Sequence, residues 1–299
     1  MSGKTVAAIE LGGTSASVAI TNELGNFLYK KKGINTAPPR DAAEAVKEIA
    51  EALKEPNIPF EAIGIASFGP IDIKNGKIAN TPKPNWRQFP FISELRKYFG
   101  NDIPIIFETD VNAPAYSEYL ALHKEDPSIS SVAYLTIGTG VGLGAFLDDR
   151  MVHGRLHPEF GHTLIAPRKD DHFEGTCPFH GPCIEGLIAT GALAKRLNIS
   201  HEELVDVPVD DPIWDLFAYY VAETAAAAAY AYAIDVLVVG GGIMTGDNRG
   251  YLYDLANEHL KKIINGYIEP PVIRRPYYNK DAGLVGASAC AFHSEVFKQ

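Results

Sequence analysis

The stretch Val6-Ala-Ala-Ile-Glu-Leu-Gly-Gly-Thr-Ser-Ala-Ser-Val-Ala-Ile-Thr21 decides the fold. Val6–Leu11 alternates and is rich in β-formers, Gly12-Gly13 breaks it, and Ser15–Thr21 resumes it. A polar turn at Asn22–Gly25 leads into a third run, Asn26–Lys31. The pattern predicts strand, glycine turn, strand, turn, strand. It returns near the middle of the chain. Val132–Ile137 is followed by Gly138-Thr139-Gly140, then Val141–Leu147, a turn at Asp148-Asp149-Arg150, and Met151–His153. Two such meanders imply a duplicated architecture, although the residues themselves do not repeat.

Outside the meanders the period changes. Asp41–Leu53 places Ala42, Ala45, Val46, Ile49, Ala50 and Leu53 at helical spacing. Ala62–Ser67 and Ile103–Phe107 read as short buried strands, and a helix is expected from Pro114 to about His123. The second half predicts a helix near Gly191–Leu197, an Ala-rich helix from about Asp215 to Ala233, and the strand Val236–Val239. Gly240-Gly241-Gly242 then leads towards another helical stretch, and Ala282–Val296 closes the chain as helix. Strands alternating with helices after each meander predict a mixed sheet covered by helices in each half. The expected division is a smaller first α/β domain, 1–114, completed by the closing segment 283–299, and a larger second α/β domain, 115–282.

The chain has 299 residues, of which 46% are hydrophobic and 21% charged, a balance that supports a folded core and argues against disorder. At roughly 150 residues per domain, two domains are the prior. The net charge of −10 disfavours nucleic acid and anionic membrane as partners. An anionic small ligand therefore needs local help from backbone amides, helix N-termini or a metal ion. Residues 1–20 lack the pattern of a secretory signal. Asp235 interrupts the apolar stretch Ala225–Met244, which disfavours a membrane span. Three cysteines, Cys177, Cys183 and Cys290, do not make a disulfide framework, so reduced thiols in cytoplasm are expected.

Glycine turns between strands let backbone N–H groups converge on an anion. Glu10-Leu-Gly-Gly-Thr14 and Thr136-Ile-Gly-Thr-Gly-Val-Gly-Leu-Gly144 are of this kind, and each adds a threonine hydroxyl. The third turn, Val239-Gly-Gly-Gly-Ile-Met244, joins a strand to a helical stretch, where a nucleotide can approach backbone. Any one of them also serves as a plain tight turn; three in a duplicated frame point to phosphate. No P-loop motif, dinucleotide fingerprint or protein-kinase signature is present.

Asp110 follows the strand Ile103–Phe107, and ligand groups collect at the C-terminal ends of such strands. A carboxylate there can accept the proton of a hydroxyl that attacks phosphorus, and Asn112 can orient the same hydroxyls. The competing reading is that Asp110 or Asn112 caps the following helix. Cys177-Pro-Phe-His180-Gly-Pro-Cys183 spaces three soft ligands around a Gly-Pro turn. His162, 15 residues upstream, completes a closed tetrahedral Zn²⁺ set, with His157, His172 or Glu174 as other fourth ligands. Glu159 and Glu185 lie beside these ligands in sequence. Paired carboxylates with an imidazole suit the hydroxyls of a polyol.

These residues together resemble the ROK family of sugar kinases and repressors, and the likeness spans essentially the whole chain. It rests on Ile65-Ala-Ser-Phe-Gly-Pro-Ile71, Thr81-Pro-Lys-Pro84, Thr109-Asp-Val-Asn112, His157-Pro-Glu-Phe-Gly-His162 and Phe173-Glu-Gly-Thr-Cys-Pro-Phe-His-Gly-Pro-Cys-Ile-Glu-Gly186. Within the family the likeness is greatest to bacterial fructokinases. The resemblance implies an actin-like ATPase (ribonuclease H-like) fold, with two duplicated α/β domains and a cleft between them. It implies Asp110 as general base and Mg²⁺ with ATP as phosphoryl donor. It puts phosphate at Gly12, Gly13 and Thr14 and at Gly138, Thr139 and Gly140. The nucleotide would also lie beside Gly191, Ala192, Gly240, Gly241, Gly242, Ile243 and Met244. Sugar contacts are implied for Asn112, Glu159, His162 and Glu185, and structural Zn²⁺ for His162, Cys177, His180 and Cys183. His162 can use one ring nitrogen for metal and the other for a hydroxyl.

The activity so implied is phosphorylation of D-fructose at its 6-hydroxyl by a cytoplasmic homodimer. Mannose, glucose or N-acetylmannosamine is the alternative hexose, and a sugar-sensing protein without turnover the alternative class. A zinc-knuckle nucleic-acid binder is disfavoured by the acidic charge. The family's repressors carry an added N-terminal DNA-binding segment, for which a first strand starting by Thr5 leaves no room. Three positions depart from the family pattern. Glu10 stands where many members have Asp, Asn85 where Gly is common, and Ser15 where many have Lys, which removes a phosphate partner from the first loop.

Overall fold

A computed structural model describes residues 3–297. Met1 and Ser2 of the expected first domain, and Lys298 and Gln299 of its closing segment, lie outside the described residues. The chain divides into two compact units: Met1–Ser117 with Arg150–His157 and Asp281–Gln299, and Glu118–Asp149 with Pro158–Lys280.

In the first unit the opening meander is three antiparallel strands, β1 (Val6–Leu11), β2 (Ser15–Glu23) and β3 (Asn26–Asn35). β4 (Ile63–Ser67) pairs parallel to β1, and β7 (Ile105–Thr109) parallel to β4, giving the order β3-β2-β1-β4-β7. A small hairpin, β5 (Ile71–Asp72) and β6 (Lys77–Ile78), follows β4. α1 (Ala42–Lys54) starts where Asp41 accepts the N–H groups of Ala43 and Glu44, an N-cap of the usual kind. It buries Ala42, Ala45, Val46, Ile49 and Leu53, the positions its period predicts. At roughly 1.5–3 kcal/mol per large aliphatic side chain, this stripe outweighs the helix's intrinsic propensity. α8 (Ala282–Phe292) is rich in small residues and packs on β4 and β1. Its close approach requires Gly64: a Cβ there would stand 1.8 Å from the Ala287 carbonyl oxygen.

α3 (Asn112–Glu125) begins in the first unit and ends in the second. In the second unit β8 (Ser131–Ile137) and β9 (Val141–Leu147) form the second meander's antiparallel pair. β11 (Val236–Gly240) runs parallel to β8, and β12 (Val272–Arg274) parallel to β11. The order β9-β8-β11-β12 repeats the first unit's β2-β1-β4-β7. The helices here are α4 (Ile184–Ile188), α5 (Thr190–Leu197), α6 (Pro212–Tyr232) and α7 (Tyr251–Ile264). α6 starts three residues before its expected position because Asp211 caps it and Pro212 occupies its first turn, where no N–H is needed. No helix among the described residues is long and apolar enough to cross a membrane.

Several elements differ from the sequence reading. The predicted strand Met151–His153 is the two-residue β10 (Arg150–Met151), in a segment grouped with the first unit. α2 (Phe91–Phe99), β12 and the β5–β6 hairpin have no counterpart in the sequence reading. The third glycine turn does not open a helix directly, since α7 begins only at Tyr251.

Candidate functional site

Strand register sets the first unit's site. Leu11 pairs with Ser67, and Ser67 with Thr109, so β1, β4 and β7 end at one level of the parallel sheet. The residues after them therefore sit side by side. The Phe68 N–H donates to the Leu11 carbonyl at 3.0 Å, and the Asp110 N–H to the Ser67 carbonyl at 2.8 Å. Gly12, Phe68 and Asp110 thus share the edge where ligands gather in such sheets. The Gly12–Thr14 turn is pinned from outside. Thr36 gives its hydroxyl to the Gly12 carbonyl at 2.7 Å and its N–H to the Thr14 carbonyl at 3.1 Å.

The Thr109 hydroxyl accepts the Asn112 N–H at 2.9 Å. Asn112 is buried, and its amide nitrogen donates to Glu108 at 3.2 Å. Glu108 in turn meets His153 Nε2 at 2.9 Å.

The Lys83 side chain lies over Gly13: a Cβ on Gly13 would stand 1.9 Å from Lys83 Cε and 2.8 Å from its Nζ. Burial pushes the Lys83 ammonium below the ordinary lysine value, and the charge of Asp110 opposes that fall.

The second unit gathers its own set at the ends of β8 and β11, where Thr136 pairs with Gly240. The Gly138–Gly140 turn closes with the Gly138 N–H on the Gly140 carbonyl at 2.9 Å. Thr190, at the start of α5, donates both its N–H (2.9 Å) and its hydroxyl (3.1 Å) to the Gly138 carbonyl. Glu185 accepts the Val141 N–H at 3.1 Å. Gly241 has φ +92° and lies against Ile137, where a Cβ would be 2.1 Å from the carbonyl oxygen. The second and third glycine turns therefore adjoin. Gly242 is exposed, whereas the side chains of Ala192, Ile243 and Met244 are buried. Gly191 follows Thr190 at the same helix start, with His201 beside it.

Cys177, His180, Cys183 and His162 come together: one donor atom from each lies within 4.8 Å of all the others. His162 Nδ1 is 3.8 Å from both sulfurs, and His180 Nδ1 is 3.7 Å from Cys177 Sγ. Ligands around a tetrahedral N₂S₂ zinc ion are about 3.5–3.8 Å apart given the usual metal–ligand lengths, so the donor set fits. Burial, then the neighbouring Cys177, pushes the Cys183 thiol up to about 11. A cation would reverse that balance. Of the other fourth ligands considered, His157 instead accepts the Ile71 N–H at 3.1 Å. The cluster also shapes the second loop's support: Cys183 Sγ accepts the Gly186 N–H and caps α4, which carries Glu185. Glu159 lies exposed just before the turn that bears His162.

Similarity agrees with this geometry. The chain is 38% identical over 269 residues to a fructokinase of Lactococcus lactis subsp. cremoris, covering 88% of this chain and 86% of that one. It is 36% identical over 289 residues to a fructokinase of Pediococcus pentosaceus, covering 95% and 94%. Among solved structures, a ROK hexokinase from Thermus thermophilus superposes with a TM-score of 0.79 at 27% identity, covering 99% of this chain and all of that one. The paired meanders are those of the actin-like ATPase fold. The ROK family profile itself matches residues 6–293, so strand ends, glycine turns and cysteine knuckle all fall inside it, and the chain belongs to the ROK family.

Proposed function

We propose that this protein is an ATP-dependent fructokinase, transferring the terminal phosphoryl group of Mg²⁺-ATP to the 6-hydroxyl of D-fructose. The observation that carries the reading is Asp110 at the strand edge it shares with the Gly12–Thr14 turn. The sugar oxygen attacks phosphorus, its proton passes to the Asp110 carboxylate, and ADP leaves with the electrons of the broken P–O bond. Gly12, Gly13 and Thr14 bind phosphate through backbone N–H groups, as do Gly138, Thr139 and Gly140. Gly191 and the backbone of Gly240–Met244 lie along the nucleotide. When bound with the nucleotide, Mg²⁺ would supply charge neutralisation at the phosphates.

Asn112, Glu159, His162 and Glu185 hold the sugar hydroxyls. His162, Cys177, His180 and Cys183 hold a structural Zn²⁺. With four protein ligands such an ion would act structurally, fixing the turns that carry His162 and Glu185. Fructose is favoured over glucose, mannose or N-acetylmannosamine because relatives at 36–38% identity carry the name fructokinase. We place the enzyme in the cytoplasm, where ATP is available, as a homodimer.

Asp110→Asn tests the mechanism. It is expected to keep sugar binding by calorimetry and to lose about 10²–10⁴-fold in kcat. Turnover close to the parent rate would sink the base assignment. A coupled ADP-release assay across hexoses tests the substrate, with fructose expected to give the highest kcat/KM.

A further inference from the structure

The first glycine turn has no cation in its own sequence, because Ser15 follows Thr14. In a chain of net charge −10, a phosphate there must find its countercharge elsewhere. The structure brings one from 70 residues away in sequence. Pro82 and Pro84 flank Lys83 and hold it extended, with φ −83° and ψ 107°. The next two residues bolt this segment down. Trp86 is fully buried, and its indole N–H donates to the Thr36 carbonyl at 3.0 Å. Asn85 donates to the same carbonyl at 3.1 Å and to that of Arg40 at 2.9 Å.

Thr36 is also the residue that grips Gly12 and Thr14. One buried threonine thus fixes both the glycine turn and the segment that lays Lys83 across it. The Lys83 Nζ lies 4.1 Å from the Phe68 ring centroid, a cation–π contact at the end of β4. Phe68 and Asp110 follow neighbouring strands of the sheet. The ammonium is therefore held beside the turn and in the field of Asp110.

We propose that Lys83 is a catalytic residue that contacts the transferred phosphoryl group, supplying the first loop with the cation its own sequence lacks. The proposal rests on reading Gly12–Thr14 as a phosphate loop and Asp110 as the base. Charge on the phosphoryl oxygens is then met by a preorganised ammonium beside the base that receives the sugar's proton. A side chain at position 13 would have to displace the end of the lysine from its place over the turn.

The test compares Lys83→Met, Lys83→Arg and Asp110→Asn by steady-state kinetics, calorimetric fructose binding and thermal unfolding. Lys83→Met is expected to lose about 10²–10³-fold in kcat, the scale of one lost charge-stabilising donor. Fructose binding and unfolding temperature should stay at parent values, and Lys83→Arg should recover at least tenfold of the loss. Lys83→Met turning over within threefold of the parent overturns the assignment. So does a variant that loses fructose binding and stability together with kcat while Lys83→Arg does no better, since that pattern is packing against Phe68. An active Asp110→Asn would remove the base assignment separately, and the Lys83 kinetics still decide the lysine's own role.

Discussion

The two glycine turns share a scaffold and differ in charge. Each joins two antiparallel strands beside a parallel one, and in each a threonine from a later element donates its hydroxyl to the first glycine's carbonyl. Thr36 does this for Gly12 at 2.7 Å, and Thr190 for Gly138 at 3.1 Å. Lys83 lies over the first turn. At the second, Glu185 accepts the Val141 N–H, and a Cβ on Gly140 would be 2.9 Å from its carboxylate oxygen. Duplication has copied the backbone device and left the chemistry around it to diverge. The buried glutamates diverge as well. Glu108 in the first unit has the His153 ring at 2.9 Å, whereas Glu118 in the second accepts the backbone N–H groups of Tyr277 and Tyr278 at 2.9 and 3.4 Å.

The largest expected effect separates how the turns are supported. α4 links the second turn to the Cys–His cluster, while the first turn is braced by Thr36 alone of the groups described. Cys183→Ala removes a proposed zinc ligand and the α4 cap together. It is expected to cost about 4 kcal/mol or more, the range reached when a metal site is lost. Thermal unfolding with and without a chelator checks this. The parent should lose stability on chelation, and Cys183→Ala should start lower and not respond. A parent indifferent to chelator would break the link between metal and turn.

A smaller effect comes from Glu118. Burial raises its carboxyl from 4.5 to about 7, the two backbone N–H bonds and the more distant Arg274 only partly opposing that. The folded state then holds this proton between roughly pH 4.5 and 7, where the unfolded chain has released it. Stability from this group is complete below 4.5, declines as pH rises through that window, and is flat above 7. Glu118→Gln carries no charge and keeps one oxygen for the Tyr277 N–H at 2.9 Å; the longer 3.4 Å bond from Tyr278, made to the other oxygen, is given up, as it is when that oxygen of the acid carries the proton. At pH 8 it is expected to exceed the parent by about 3 kcal/mol, and near pH 4 to match it. Urea unfolding across pH measures the difference, and a constant offset would refute the titration.

Most of the candidate site was legible because its signals are local in sequence. Glycine turns announce themselves by composition, the knuckle ligands Cys177, His180 and Cys183 by spacing, and Asp110 by following a buried strand. The doubled meander gave the fold because alternation and turn residues are short-range signals. What stayed hidden depends on closure of the chain. Nothing near Gly12 says that Thr36 will hold it, or that Thr190 will hold Gly138 from 52 residues away. Lys83 was visible as part of Thr81-Pro-Lys-Pro84, yet its place over Gly13 follows from the burial of Trp86. β12 is three residues long, too short for a periodic signal. Met151–His153 reads as the third strand of the second meander, but of these residues only Met151 lies in β10. Pairings of this kind are settled by tertiary packing, which overrides weak strand propensity.

The finest expected difference lies between the threonines themselves. Valine has nearly the shape of threonine but no hydroxyl, so each Thr→Val change deletes one hydrogen bond and little volume. At Thr36 the hydroxyl to Gly12 is lost from a fully buried site, which should cost about 1–3 kcal/mol. At Thr190 the Gly138 carbonyl keeps the backbone N–H at 2.9 Å, so the expected cost is below about 1 kcal/mol. Thr36 also carries the carbonyl on which Trp86 and Asn85 converge, so a shift there moves Lys83 with the turn. Thr36→Val should therefore lower kcat in the same direction as Lys83→Met, while Thr190→Val leaves Lys83 in place. Denaturant unfolding and kinetics on the two variants check both differences. Equal losses would mean that the two turns are braced alike and that the second bond at Gly138 contributes nothing.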